Sequence, residues 1–180
     1  SSAASDVYKR QAEHGISNIA IDEGRWPIHE ATTQADVALM AHIGYDIADF
    51  AAFLDAAEAS ISRRCVVIMR AGAATTAGHL LWPQVHGEDR VQLPMLPELV
   101  SLLMARGSMP SVTLTQRRSW GFGTPEALLE ASRQQLWLRP GSAKDEHLRS
   151  LLAELATERN GLWALDWRPV PDGIVSWEPR

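Results

Sequence analysis

The sequence predicts an α/β fold, a mostly parallel sheet covered by helices. Three observations carry that expectation. Residues 37–41 (Val-Ala-Leu-Met-Ala) and 65–69 (Cys-Val-Val-Ile-Met) are apolar runs without charge or alternation, the pattern of strands buried on both faces, which the first run shares with a buried helix segment. Between them Phe50, Phe53, Leu54 and Ala57 recur at i, i+3, i+4 and i+7, one face of a helix, with Asp49 as its N-cap. Strand, helix, strand at this spacing is a crossover unit, so the two strands should be parallel and adjacent.

The other elements follow in order. Ala12-Glu-His-Gly15 reads as the last turn of a helix ended by glycine. Ile19-Ala-Ile21 reads as a short strand running into the loop Asp22-Glu-Gly-Arg-Trp-Pro27. Residues 80–85 read as one short helix. Another begins near Leu93–Pro97, with Leu99, Val100, Leu103 and Met104 on one face and Gly107 at its end. Residues 112–118 alternate as a half-exposed strand does. Thr124-Pro125 is an N-cap followed by proline at the first helical position, opening a helix to about Leu138. Ser142 with Asp145 resembles a capping box for a helix lined by Leu148, Leu151, Leu152 and Leu155, with Asn160-Gly161 as its stop. Residues 163–167 and 174–177 flank a Pro-Asp-Gly turn and read as a terminal hairpin.

Composition bounds the function. A chain of 180 residues, 46% hydrophobic and 22% charged, is one ordinary globular domain by length. A net charge of −5 without a basic stripe argues against a nucleic-acid or membrane-surface binder. One cysteine, Cys65, excludes an internal disulfide and a cysteine-based zinc cluster. No apolar run reaches the ~18 residues of a membrane span, and no signal-peptide core opens the chain. These features point to the cytoplasm.

The candidate site lies at the carboxyl end of the first apolar run, where ligands of parallel sheets bind. His42, Gly44 and Tyr45 stand there. His42 is either a hydrogen-bonding structural histidine or a base. His14, His29, His79, His86 and His147 read as surface residues, and Cys65 as a small buried hydrophobe. Trp26, beside Asp22 and Glu23, is either a wall for a planar ligand or a plug under its loop. The chain has no nucleophile elbow, phosphate-binding glycine loop or HExxH motif; Gly121-Phe-Gly123 is an incomplete glycine pattern.

The segments 18–26, 35–49 and 63–70 together resemble the middle of a class I S-adenosylmethionine-dependent methyltransferase. The resemblance implies a Rossmann-like three-layer sandwich whose last strand runs antiparallel to its neighbours, with residues 112–118 and the terminal hairpin supplying the sheet's last two strands. Residues 124–160 would be a helical insertion. It implies S-adenosylmethionine held by Asp22, Glu23, Gly24, Arg25, Trp26, Ala41 and His42, with His42 and Tyr45 facing the methyl acceptor. Asp6-Val-Tyr-Lys-Arg-Gln11 resembles the translation of a transposon-end sequencing adaptor. That likeness makes residues 1–11 a read-through scar and residues 12–180 the carboxyl-terminal part of the domain, inactive by itself. The family's glycine-rich loop after strand one and its acid after strand two would lie upstream. The alternatives are a fragment of a nicotinamide-dependent Rossmann oxidoreductase and a non-enzymatic domain on the same sheet.

Overall fold

The computed structural model describes residues 13–20, 26, 34–73, 75–115 and 120–180. The chain forms two compact units, Ser1–Thr33 and Gln34–Arg180. In the first, Glu13 is helical and Gly15 follows at φ 64°, as the C-cap reading expects. Ile19 and Ala20 carry no strand, and Ile21 lies outside the described residues, as do residues 1–12.

The second unit is mixed α/β. Its strands are β1 (Ala35–Ala41), β2 (Ile61–Arg70), β3 (Ser111–Leu114), β4 (Thr157–Arg159), β5 (Leu162–Ala164) and β6 (Asp172–Trp177). Its helices are α1 (Phe50–Ala59), α2 (Ala77–Leu80), α3 (Trp82–His86), α4 (Leu96–Ala105), α5 (Pro125–Gln135) and α6 (Ala143–Leu155). The main sheet has the order β1-β2-β6-β3. β1 and β2 are adjacent and parallel, with Met40 opposite Val67, as the crossover requires. β6 runs antiparallel to both β2 and β3. The expected mostly parallel sheet is therefore corrected among the described residues: one pairing is parallel and two are antiparallel.

The helix between β1 and β2 starts where the sequence puts it. The Asp49 carboxylate accepts from the Ala52 N–H at 3.0 Å, satisfying one of the donors that a helix start leaves open. Leu54 and Ala57 from α1, and Leu96, Leu99 and Leu103 from α4, pack on Met40, Cys65, Val67, Met69, Val175 and Trp177. These sheet residues share one face, because side chains alternate along a strand. Met104 departs from its expected face and stands exposed. The opposite face presents Val37 and Leu39, 48% and 66% exposed, and none of its residues joins a core cluster. β1 is therefore not buried on both faces. Among the described residues it is an edge strand, paired on one side only.

Polar contacts tie the sheet to its helices. The Trp177 indole N–H donates to the Glu58 carboxylate at 2.8 Å, and Arg180 Nε donates to the same group at 3.1 Å. Arg106 Nη1 donates to the Ala51 carbonyl at 3.1 Å, holding α4 against α1. Arg106, and then Arg180, hold the Asp55 carboxyl below its ordinary range.

A second core gathers Ala77, Leu81, Val85, Leu128, Leu136, Leu148 and Leu152 from α2, α3, α5 and α6 and the residues between them. Residues 80–85 fall in two short helices rather than one. The Thr124 hydroxyl caps α5 by accepting from the Ala127 N–H at 3.1 Å. The Ser142 hydroxyl caps α6 by accepting from the Asp145 N–H at 3.2 Å. Asp145 does not complete a capping box. Its fully buried carboxylate accepts from Arg133 Nε at 2.7 Å, Arg133 Nη2 at 2.9 Å and the Gly141 N–H at 2.8 Å. One carboxylate thus joins α5, α6 and their loop. Leu155 ends α6 half in solvent.

The terminal hairpin is corrected. β5 pairs with β4, while β6 belongs to the main sheet. The turn is Asn160-Gly161, with Asn160 at φ 54° and Gly161 at φ 77°. Two left-handed residues suit the tight turn that matches the twist of paired strands. The stretch read as a helix stop is thus a strand-to-strand turn. β3 ends at Leu114, and residues 116–119 lie outside the described set.

Asp145 generates a pH prediction. Arg133, the Gly141 N–H and Arg149 hold its carboxyl well below the ordinary range. A depressed folded pKa stabilises above the unfolded value, about 3.9, and that contribution fades as pH falls through and below it. Asp145→Ala should lower the thermal midpoint at neutral pH and leave a shallower loss of stability under acid. Melting curves from about pH 7 down to about pH 2 check both.

Candidate functional site

The site is built where β1 and β2 end. The His42 N–H donates to the Ile68 carbonyl at 2.8 Å, carrying the parallel ladder one residue past β1. The chain then turns sharply. His42 has φ 55°, a left-handed conformation in which histidine is enriched among the few non-glycine residues found there. Gly44 follows at φ 97°, and a Cβ on it would stand 2.6 Å from the Phe50 ring. Both the backbone angle and the close ring call for glycine.

That turn returns Tyr45 to the sheet. Its hydroxyl oxygen accepts from the backbone N–H of Arg70, the last residue of β2, at 2.9 Å. It also lies 3.3 Å from His42 Nδ1. A phenol oxygen that accepts from an amide has a second lone pair, so the imidazole tautomer with its proton on Nδ1 donates to it and leaves Nε2 as the basic nitrogen. His42 is exposed, and its Nε2 has no hydrogen-bond partner among the described residues. A ring held at one nitrogen and open at the other can exchange a proton with a bound molecule.

Of the residues expected to form the site, Ala41, His42 and Tyr45 come together. Trp26 is 36% exposed in the unit Ser1–Thr33. Asp22, Glu23, Gly24 and Arg25 lie outside the described residues, as does His29. His14 and His147 are exposed as expected, while His79 and His86 are half-buried. His86 stacks on Trp82 with ring centroids 4.2 Å apart and meets the Leu136 carbonyl at 3.1 Å. Burial, then Arg90 and Arg70, lower the His79 pKa. Cys65 is sealed, its thiol pushed up to about 11 by burial and then by Glu58. Among the described residues no group of three or more His, Cys, Asp and Glu could hold a metal ion.

Arg70 was not among the expected site residues. Arg70 opens a cavity of about 510 Å³ beyond β2. A charged side chain at the carboxyl end of a largely buried strand was the available signal.

Compared with known proteins, the chain matches no family model and no curated protein. Among the described residues no helix is long and apolar enough to cross a membrane.

Two variants test the turn. Gly44→Ala should destabilise by about 1–2 kcal/mol from the left-handed backbone alone, read by chemical denaturation; an unchanged midpoint would mean the loop refits freely. Tyr45→Phe should cost about 1 kcal/mol and speed hydrogen exchange at the Arg70 amide. An Arg70 amide that exchanges at the parent rate would show that the phenol protects nothing.

Proposed function

We propose that the chain belongs to a class I S-adenosylmethionine-dependent methyltransferase domain that acts on a small molecule. The observation that carries this reading is the strand order β1-β2-β6-β3, with β6 antiparallel to both neighbours. The resemblance implies a last strand antiparallel to its neighbours, and β6 is such a strand, beside β2 and β3. The two helices α5 and α6, between β3 and β6, match the expected insertion. In the three-layer arrangement, further helices would cover the face that carries Val37 and Leu39.

The residues at the end of β1 suit the methionine end of the cofactor. Ala41 is small and exposed, so a ligand can approach its backbone, and His42 and Ile43 beside it are exposed too. S-adenosylmethionine supplies an already activated methyl group, so the protein's part is chiefly alignment. Ala41 and His42 would hold the cofactor, and Tyr45 steadies the imidazole from behind. Where the acceptor must lose a proton, His42 Nε2 takes it up.

The test is calorimetric titration of S-adenosylmethionine into the protein expressed from its complete reading frame. Binding is expected, weakened by His42→Ala. An intact protein that releases no heat with S-adenosylmethionine would sink the reading.

A further inference from the structure

The cavity beyond β2 has a composition unlike that of the chain around it. The protein carries a net charge of −5, yet the cavity's described walls hold Arg70 and Arg168 and no acidic side chain. The two arginines are not equivalent. Arg168 donates through Nε to the Asp166 carboxylate at 2.7 Å, and its Nη2 lies 2.6 Å from the same group. That charge is already answered. The Arg70 guanidinium has no hydrogen bond or ion pair among the described residues, although Asp172 stands opposite it across the β2–β6 ladder. Arg70 is also held in place, since the Tyr45 phenol grips its backbone N–H.

The rest of the wall selects for shape. Trp120 and Phe122 meet edge to face, with centroids 4.5 Å apart and planes at 62°. Phe122 is fixed by a two-way backbone bridge to Trp163, at 2.9 and 2.7 Å, so one ring of the pair stands on anchored backbone. Trp120 is 64% exposed, a large ring facing water at the mouth. Leu128, Ala164 and Leu165 give an apolar lining. The Gln135 side-chain oxygen accepts from the Gly78 N–H at 3.3 Å, which leaves its amide N–H groups as donors. A cavity of about 510 Å³ lies within the roughly 300–1,000 Å³ usual for small-ligand sites.

We infer that this cavity binds a planar aromatic carboxylate, its carboxylate on the Arg70 guanidinium and its ring against Trp120 and Phe122. An arginine fork matches a carboxylate in two parallel hydrogen bonds. The ring pair supplies flat apolar area. That such a molecule is the methyl acceptor rests on the proposed methyltransferase reading; the binding itself does not.

The experiment titrates 2-naphthoate and its neutral counterpart 2-naphthamide into the full chain by calorimetry, without S-adenosylmethionine. The carboxylate should bind, and the amide about tenfold more weakly or worse, the worth of one charge-assisted hydrogen bond. Arg70→Gln should bring naphthoate down to the level of the amide. Trp120→Leu, at an exposed position where folding is not at stake, should weaken both ligands alike by about threefold or more. Equal affinity for the two ligands, parent-like naphthoate binding in Arg70→Gln, unchanged binding in Trp120→Leu, or no binding at all would each overturn the inference. Because the cofactor is absent, a failure here is separate from a failure of the intact protein to bind S-adenosylmethionine.

Discussion

The structure depends on the need of β2 for partners on both edges. Cys65, Val67 and Met69 are at most 1% exposed, so water cannot serve the backbone around them. Each of those polar groups must be paired within the protein. β1 answers one side in parallel and β6 the other in antiparallel register. This demand fixes where the chain's last strand must go. It also explains why Trp177 and Arg180 are fastened to Glu58 on α1: the strand that seals β2 arrives last in sequence, and its far end needs an anchor.

The second core solves a different problem. Its helices are short, and α2 and α3 have four and five residues, too few to be stable alone. Packing and one buried ion pair take over. Asp145 accepts from both Arg133 and the loop N–H that precedes its own helix. A buried charge is tolerated when it is fully paired and hydrogen-bonded in this way. The cavity wall formed by Leu128, Ser132 and Gln135 on α5 inherits its position from that fastening.

Local chemistry was legible in the sequence where it acts over a few residues. Asp49, Thr124 and Ser142 each cap the helix they precede, because a cap needs only the next three residues. The parallel pairing of β1 and β2 followed from two apolar runs and one helix between them. The hairpin failed because Pro-Asp-Gly and Asn160-Gly161 both spell turns, and only strand partners separate them. β6 found its partners in β2 and β3, far back in the chain. Two-sided burial of β1 failed for a related reason: an apolar run reports what a strand can tolerate, not what lies against it. At the site, His42 and Tyr45 were visible as polar residues ending an apolar run. The contact between Tyr45 and the Arg70 amide spans 25 positions, and no local pattern announces it.

The burial of Cys65 gives the molecule an internal clock. It is the chain's one cysteine, it is fully buried, and its thiol is held up near 11. Thiol chemistry requires the thiolate and a path to the reagent. Neither exists while α1 and α4 cover the centre of β2. Attack on Cys65 therefore waits for the sheet to part from its helices. Every alkylated or oxidised molecule in a population is the record of an opening, and the rate at which such molecules accumulate carries the opening equilibrium of the core as a factor.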